Sequence, residues 1–557
     1  MKKLFFISVL VAVLASCSDK IYEEINTDPT KTTEVNAAAQ LTYAELQLFG
    51  DMNYVDVHRL YTYAFTQQLM GCWNTTNYGG QNRMDDTEEL RPWNNLYAGA
   101  MRNLTDAIEQ TKGDSTKVNL NAALRIMRVY VGSLLTDFYG DVPYSEAGYG
   151  FINGNTKPKY DTQEEMYRSF FAELHECMAQ FDLTQERITS DPMFGGELQL
   201  WQQLANSLCL RYAMRLAKVD EDFAKTEFAR AWAVATLTED AVVKHMNISY
   251  SFGQEAYTDF RGNALSKYFY GNDPVNNPTY ICATLWNQLY ETADPRLTML
   301  CRFYIDDFMS LTSAEGRYDV TNEILAEEAN YPGTIGRNIP GNWSWDEWPT
   351  YTDHAGSDLS KAILAIKTSH PEYDPAANPR WTMPKLATNY LRSDNPGVVM
   401  TRAEICFLGA EAVVRGWISG DAAALYNEGI RKAIRFEVEH YGAAEPTEDA
   451  ITAYLSQSRI AFGTVQEQQL SQINTQAWIL HFHNPCECWA NLRRSDYPKL
   501  KTPTEWGAKN PMINGEAIPV RLNYPQKEQS YNGEHYNEAK NRVEGGYSWN
   551  APVWWDK

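Results

Sequence analysis

Four side chains that metals favour stand within one short run, His481, His483, Cys486 and Cys488 in His-Phe-His-Asn-Pro-Cys-Glu-Cys. Imidazole with thiolate is zinc chemistry, and a structural zinc holds four such ligands in a tetrahedron. The H-x-H and C-x-C spacings are tighter than the usual gap between paired cysteines, and one short strand cannot easily wrap all four around one ion. The expectation is a buried helix and turn carrying polarizable residues, with no metal. Hydrolysis of a glycoside needs two carboxylates about 5 to 10 Å apart across a cleft. Asp346-Glu347, set between Trp345 and Trp348, is the most suggestive pair. Adjacent residues on a loop point apart, so solvated charge is expected there. The chain has no H-E-x-x-H, no G-x-S-x-G and no phosphate-cradling loop, and Gly148-Tyr149-Gly150 lacks the rest of a dinucleotide pattern. No catalytic residue and no cofactor is expected.

Binding chemistry is better represented. Trp343, Trp345, Trp348 and Tyr351 crowd the run Gly341 to Tyr351, and Trp73, Asn74, Tyr78 and Arg83 occupy a glycine-rich loop after a predicted amino-terminal helix. Aromatic rings stack on the apolar C–H faces of sugars or on peptide side chains, while Asn and Arg fix hydroxyls or backbone groups. The competing expectation is that these rings pin long loops or meet a partner protein. The chain holds 34 Tyr, 21 Phe and 16 Trp, and a helical core rich in large residues absorbs many of them.

A third chemistry concerns the amino end. Met1-Lys2-Lys3 is positive, Leu4 to Ala15 is a run of twelve residues apolar but for Ser8, and Leu14-Ala15-Ser16 puts small residues before Cys17. This is the layout of an export signal, with an apolar run too short to span a bilayer. It resembles a bacterial lipobox, which implies that Cys17 is acylated and becomes the new amino terminus. Two or more acyl chains hold a protein stably on a membrane. Residues 1–16 are expected to be removed and 17–36, polar and without helical period, to be a lipidated tether. Net charge is −22, from 71 acidic against 49 basic residues, so nucleic acid is a poor partner.

These residues must be positioned by helices. Leu124, Met127, Val131, Leu134, Leu135 and Phe138 recur at steps of three and four, as do Trp201, Leu204, Leu208, Tyr212 and Leu216. Asp161 with Glu164 is a plausible capping pair ahead of Met166, Phe170, Leu174, Cys177 and Phe181. Ile405, Leu408 and Ala412, then Leu425, Gly429 and Ala433, predict a helix–turn–helix pair with small residues at the contact. The fold class is therefore mainly α: a tetratricopeptide-like helical scaffold with long irregular loops and a small irregular subdomain, in one domain over 37–557. Irregular insertions are expected near 246–282 and 310–400, which are rich in Gly, Pro, Asn and Asp. Cys177, Cys209 and Cys406 fall on apolar helix faces, where free thiols are expected.

Five ordered segments resemble the SusD/RagB-like nutrient-binding lipoproteins. They are the lipobox; Leu135 to Tyr144; Asp191 to Gly196 with Trp201, Asn206, Arg211 and Arg215; Thr401 to Glu404 with Glu411, Arg415 and Tyr426 to Ile430; and Glu487, Trp489, Arg493, Arg494 and Tyr497-Pro498 with Val520 to Pro525. The resemblance implies a lipid-anchored outer-membrane protein facing the cell exterior. It also implies that an oligosaccharide or oligopeptide is captured and delivered to a SusC-like TonB-dependent barrel, without catalysis. The alternatives are a surface-anchored glycosidase or peptidase, and a structural surface lipoprotein with no small ligand.

Overall fold

The first helix begins where the sequence supplies a cap: the Asn36 side chain accepts N–H bonds from Ala38 at 2.8 Å and Ala39 at 3.3 Å, opening Ala37–Gly50. A computed structural model describes residues 35–71, 75–185, 187–248, 259–271, 279–306, 317–341, 351–372, 374–376 and 379–557. Helices then follow one another to Trp232, among them Arg102–Thr111, Val118–Tyr139, Gln163–Gln180, Leu198–Arg215 and Glu221–Trp232. The expected stripes face the core; Leu124, Leu135, Trp201, Leu204 and Leu208 are wholly buried.

The cap of Gln163–Gln180 lies one residue beyond the expected pair. Thr162 and Glu165 form a reciprocal capping box. The Asp161 carboxylate is used elsewhere: it accepts the N–H groups of Tyr144 at 3.0 Å and Ser145 at 2.7 Å. It thereby braces the turn entered through Gly140, whose φ of +85° a side chain tolerates poorly.

Neighbouring helices stack in pairs, a tetratricopeptide-like arrangement, with Val118–Tyr139 against Gln163–Gln180 and Leu198–Arg215 against Glu221–Trp232. The predicted pair appears as Arg402–Val414 against Ala422–Tyr441. Its close approach depends on glycine, since a Cβ at Gly429 would lie 2.5 Å from the Phe407 ring. Three helices are then locked by buried charge. The Arg494 guanidinium donates to both oxygens of Glu411, at 2.7 and 2.9 Å, and to Asn474 at 2.8 Å. Arg211 similarly donates to Glu404 at 2.6 and 2.7 Å, and Arg215 to Glu487 at 2.6 Å. Many of the residues that carry the family resemblance are these internal ion pairs.

A second core sits beside the helical one, with Trp286, Trp381, Tyr390 and Trp478 at its centre. Much of it lies against a small antiparallel sheet in the order Leu69–Gly71, Thr279–Ile281, Lys385–Leu386, Cys301–Arg302. The two stretches expected to be irregular supply much of this layer, and they contain the helices Ala264–Gly271, Thr321–Asn330 and Asp358–Ser369. The last of these has a Ser357 cap but buries only Leu359 and Ile366, so its apolar period is too sparse to see in sequence. Among the described residues Cys177, Cys209, Cys282, Cys301, Cys406, Cys486 and Cys488 are free thiols.

The segment after Val520 returns to the front of the molecule. Asn523 donates its N–H to Glu89 at 3.0 Å, and Glu89 is 2% exposed. Burial pushes this carboxyl up to about 8, against the lowering effect of the Asn523 hydrogen bond. A folded-state pKa above the unfolded value gives stability that is complete below about 4.5 and is lost as pH rises through about 8, each tenfold difference in proton affinity contributing roughly 1.4 kcal/mol. Thermal unfolding should therefore move to lower temperature between about pH 5 and 8, and Glu89→Gln should flatten that part of the profile. An unchanged slope in the variant would remove Glu89 as its source.

Candidate functional site

Glycines decide where the amino-terminal aromatic loop lies. Gly79 is pressed so closely onto the helical turn His58–Thr62 that a Cβ would come 2.6 Å from the Leu60 carbonyl oxygen. At Gly80 it would come 2.3 Å from the Met70 methyl. The loop closes by N–H bonds from Arg83 to the Tyr78 carbonyl at 2.8 Å and from Gly80 to that of Thr75 at 3.0 Å. Tyr78 is left half-buried with its ring 6.1 Å from Tyr61 and the exposed Arg83 guanidinium 5.2 Å over it. Trp73 and Asn74 lie outside the described residues.

A distant segment completes this surface. Ile513 donates to the Gln81 carbonyl at 2.8 Å, and the Asn82 amide donates to the carbonyls of Gly515 at 2.7 Å and Ala517 at 3.0 Å. Thr504 ties the same segment together by donating to Glu516 at 2.6 Å. This brings in Trp506, half-buried, whose indole N–H donates to Gln67 at 3.3 Å. The start of the second aromatic loop also arrives here. Gly341, at φ +70°, is so placed that a Cβ would lie 2.1 Å from the Met512 methyl and 3.3 Å from the Gly80 carbonyl oxygen. Trp343, Trp345 and Trp348, with Asp346 and Glu347, lie outside the described residues.

The feet of that second loop are held by adjacent carboxylates on Thr321–Asn330. Glu328, 3% exposed, accepts N–H bonds from Gly333 at 3.0 Å and Ile335 at 2.9 Å and a guanidinium bond from Arg337 at 2.6 Å. Glu327, 2% exposed, pairs with His354 Nδ1 at 2.6 Å, and the His354 ring stacks on Tyr331 at 3.6 Å. Tyr351 turns inward against Trp381, with ring centroids 5.1 Å apart, and burial with the nearby Asp353 charge pushes its hydroxyl up to about 12. Nothing in sequence marked Glu327 and Glu328, which read as two more acids in an acidic chain. Asn510, Pro511, Asn514 and Gly515 are turn-forming residue types, which leave the neighbours of the segment unspecified.

The His–Cys run folds as expected into a buried turn, His481–His483, and a helix, Pro485–Ser495. Its four metal-favouring side chains diverge. His483 Nε2 lies 2.8 Å from Glu437, His481 Nε2 lies 3.5 Å from Glu404, Cys486 lies 3.7 Å from His58, and the Cys488 thiol points to the Trp478 carbonyl at 3.8 Å. Burial holds the His58 imidazole down at about 3 and raises the Cys486 thiol to about 12, so neither is charged or nucleophilic near neutrality. Another triad, Asp240, Glu439 and His440, brings ligand atoms together. The Arg402 guanidinium, 2.9 Å from both Asp240 and Glu439, already supplies the positive charge there.

A family model described as starch-binding and associating with the outer membrane matches residues 29–332 and 356–525. A solved structure described as Bacteroidetes AC2a SusD-like is 60% identical, covering 94% of this chain and 100% of its own, with a TM-score of 0.90. A chitin-binding protein is 29% identical over 94% of this chain and 100% of its own, with a TM-score of 0.74. A SusD homologue from Bacteroides fragilis shares the fold at 22% identity and a TM-score of 0.65, covering 94% of this chain and 100% of its own. No curated protein matches the chain.

Proposed function

The chain belongs to the SusD-like family, and from that premise we propose that it captures an oligosaccharide at the surface where its two aromatic loops meet. It then delivers that cargo to a TonB-dependent outer-membrane barrel. The family is one of nutrient-binding proteins associated with the outer membrane. The observation that carries the reading is the approach of Gly341 to Gly80, which brings the roots of both loops to one patch beside Trp506 and the Asn510–Ala517 segment. In this reading Trp73, Tyr78, Trp343, Trp345 and Trp348 furnish stacking rings, and Asn74 and Arg83 bind hydroxyls, while Tyr351, turned onto Trp381, holds the loop in place instead of meeting the ligand. A related chain's chitin-binding description and the family's starch-binding one favour glycan over peptide. The anchor at Cys17 lies outside the described residues; it fits a chain whose described helices include none long and apolar enough to cross a membrane. The anchored body faces the cell exterior.

Titration calorimetry against starch- and chitin-derived oligosaccharides and a panel of oligopeptides tests the site. Binding of at least one glycan is expected, with Trp73→Ala and Trp343→Ala each weakening it about tenfold through loss of a stacking ring. Unchanged affinity in both variants would remove these loops from the site. Release of shortened sugars during the titration would move the protein among hydrolases. Co-purification of a barrel from detergent extracts tests delivery.

A further inference from the structure

Within a chain of net charge −22, residues 147–160, Ala-Gly-Tyr-Gly-Phe-Ile-Asn-Gly-Asn-Thr-Lys-Pro-Lys-Tyr, contain two lysines and no acid. They form a loop with one short helical turn, Gly150–Asn153, whose tip carries Phe151 at 91% exposure and Ile152 at 42%. Among the described residues Phe151 is the most exposed large apolar side chain. The loop is built rather than loose. Gly148 packs on Thr105 so closely that a Cβ would lie 2.7 Å from its hydroxyl, and Tyr149 donates to Glu109 at 3.1 Å. Glu146 accepts from the Asn155 amide and the Lys159 N–H, both at 3.0 Å. Lys159 is paired with Asp161 at 2.9 Å and the nearby Lys112 with Glu109 at 3.2 Å, whereas Lys157 is exposed and makes no ion pair with a described residue.

The position of the tip matters as much as its chemistry. Glu109 holds Tyr149, and Asp106, one turn earlier on the same helix face, accepts from Gln40 at 2.7 Å. Gln40 stands one turn inside the first helix, just after the point where the tether joins the body. The apolar tip and the tether junction therefore share one end of the molecule. Residues 18–35 can reach about 60 Å when extended, so an acyl anchor alone leaves the orientation of the body open.

We propose that Phe151 and Ile152 form an insertion tip that enters the interfacial layer of the membrane, with Lys157 meeting lipid phosphate, and so orients the anchored body. Aromatic and branched apolar side chains flanked by lysine suit that layer, where rings and stems bury while charges stay wet. The inference rests on the surface-anchor reading above but is measured apart from it. The mature chain with Cys17→Ser is sedimented with vesicles of phosphatidylethanolamine and phosphatidylglycerol. Measurable binding is expected, falling about tenfold or more in Phe151→Asp/Ile152→Asp and weakening with salt in the parent, whereas Lys157→Glu should bind less and lose that salt-induced weakening. Leu364→Asp, at a residue of 65% exposure on Asp358–Ser369, is expected to leave binding unchanged. Because these side chains are exposed, the thermal midpoint should stay that of the parent. Absent binding by the parent, or equal binding by the tip variant, overturns the proposal. So does parent-like vesicle binding in a tip variant that no longer co-purifies with a barrel, which would make the tip a protein-docking surface. Palmitate labelling of the chain with Cys17 intact reports the anchor separately, so failure of the tip and failure of the anchor are told apart.

Discussion

Replacing Cys17 by serine is expected to abolish palmitate labelling and move the protein from the envelope pellet to the soluble fraction. The thiol is the only group at the signal boundary that can take a diacylglyceryl chain. Each buried methylene of such chains contributes about 0.8 kcal/mol, so two or more chains make retention essentially complete, and their loss removes it. No described helix offers a second means of crossing the bilayer. A tip of two side chains at Phe151 adds orientation but holds far less than acyl chains do. Metabolic labelling followed by fractionation reads both outcomes, and a serine variant that still labels and pellets would end the lipoprotein reading.

The largest expected effect inside the fold comes from Arg494→Met, which should destabilise the protein by about 3–5 kcal/mol. Arg494 and Glu411 are 2% and 1% exposed, and the methionine leaves the Glu411 carboxylate with Arg415 at 2.8 Å as its one remaining cation among the described residues, beside the Asn474 amide at 3.1 Å. The guanidinium of Arg494, followed by that of Arg415, holds the Glu411 carboxyl well below its usual range, so the acid stays ionised in the interior. A buried charge that has lost its closest partner costs more than the pair contributes, which is why removing both partners should recover most of the loss. Denaturant unfolding of Arg494→Met, and of Arg494→Met/Glu411→Leu, separates these effects. If the double variant is as unstable as the single one, the charge explanation fails and lost packing takes its place.

The helical scaffold was legible because its order is local. Stripes such as Leu124 to Phe138 repeat within a single helix, and the Gly429 contact announced itself by small residues at helical spacing. Capping was legible only to within a residue, since Asp161 and Thr162 each have an acid three positions on, and a turn 17 residues earlier decides between them. The candidate surface was legible as two aromatic clusters but not as one place. What joins them is Met512 against Gly341, Asn82 against Gly515 and Glu328 against Ile335, contacts with no period and, for two of them, far apart in sequence. The helix Asp358–Ser369 escaped notice for a related reason, because two buried residues leave no stripe.

Trp549, Val553 and Trp555 are buried in a core assembled mostly from the first half of the chain. Trp555 is wholly buried, its indole N–H donates to Asp137 at 2.9 Å, and its ring lies 4.8 Å from the Arg493 guanidinium, which also lies 3.9 Å over the Trp489 ring. The two partners of that hydrogen bond are 418 residues apart, so the interior of the first helices is completed only when a very distant stretch of the same chain folds onto it. Shortening the chain ahead of Trp555 is therefore expected to leave the Asp137 carboxylate and the Arg493 guanidinium without that cover and to lower the thermal midpoint.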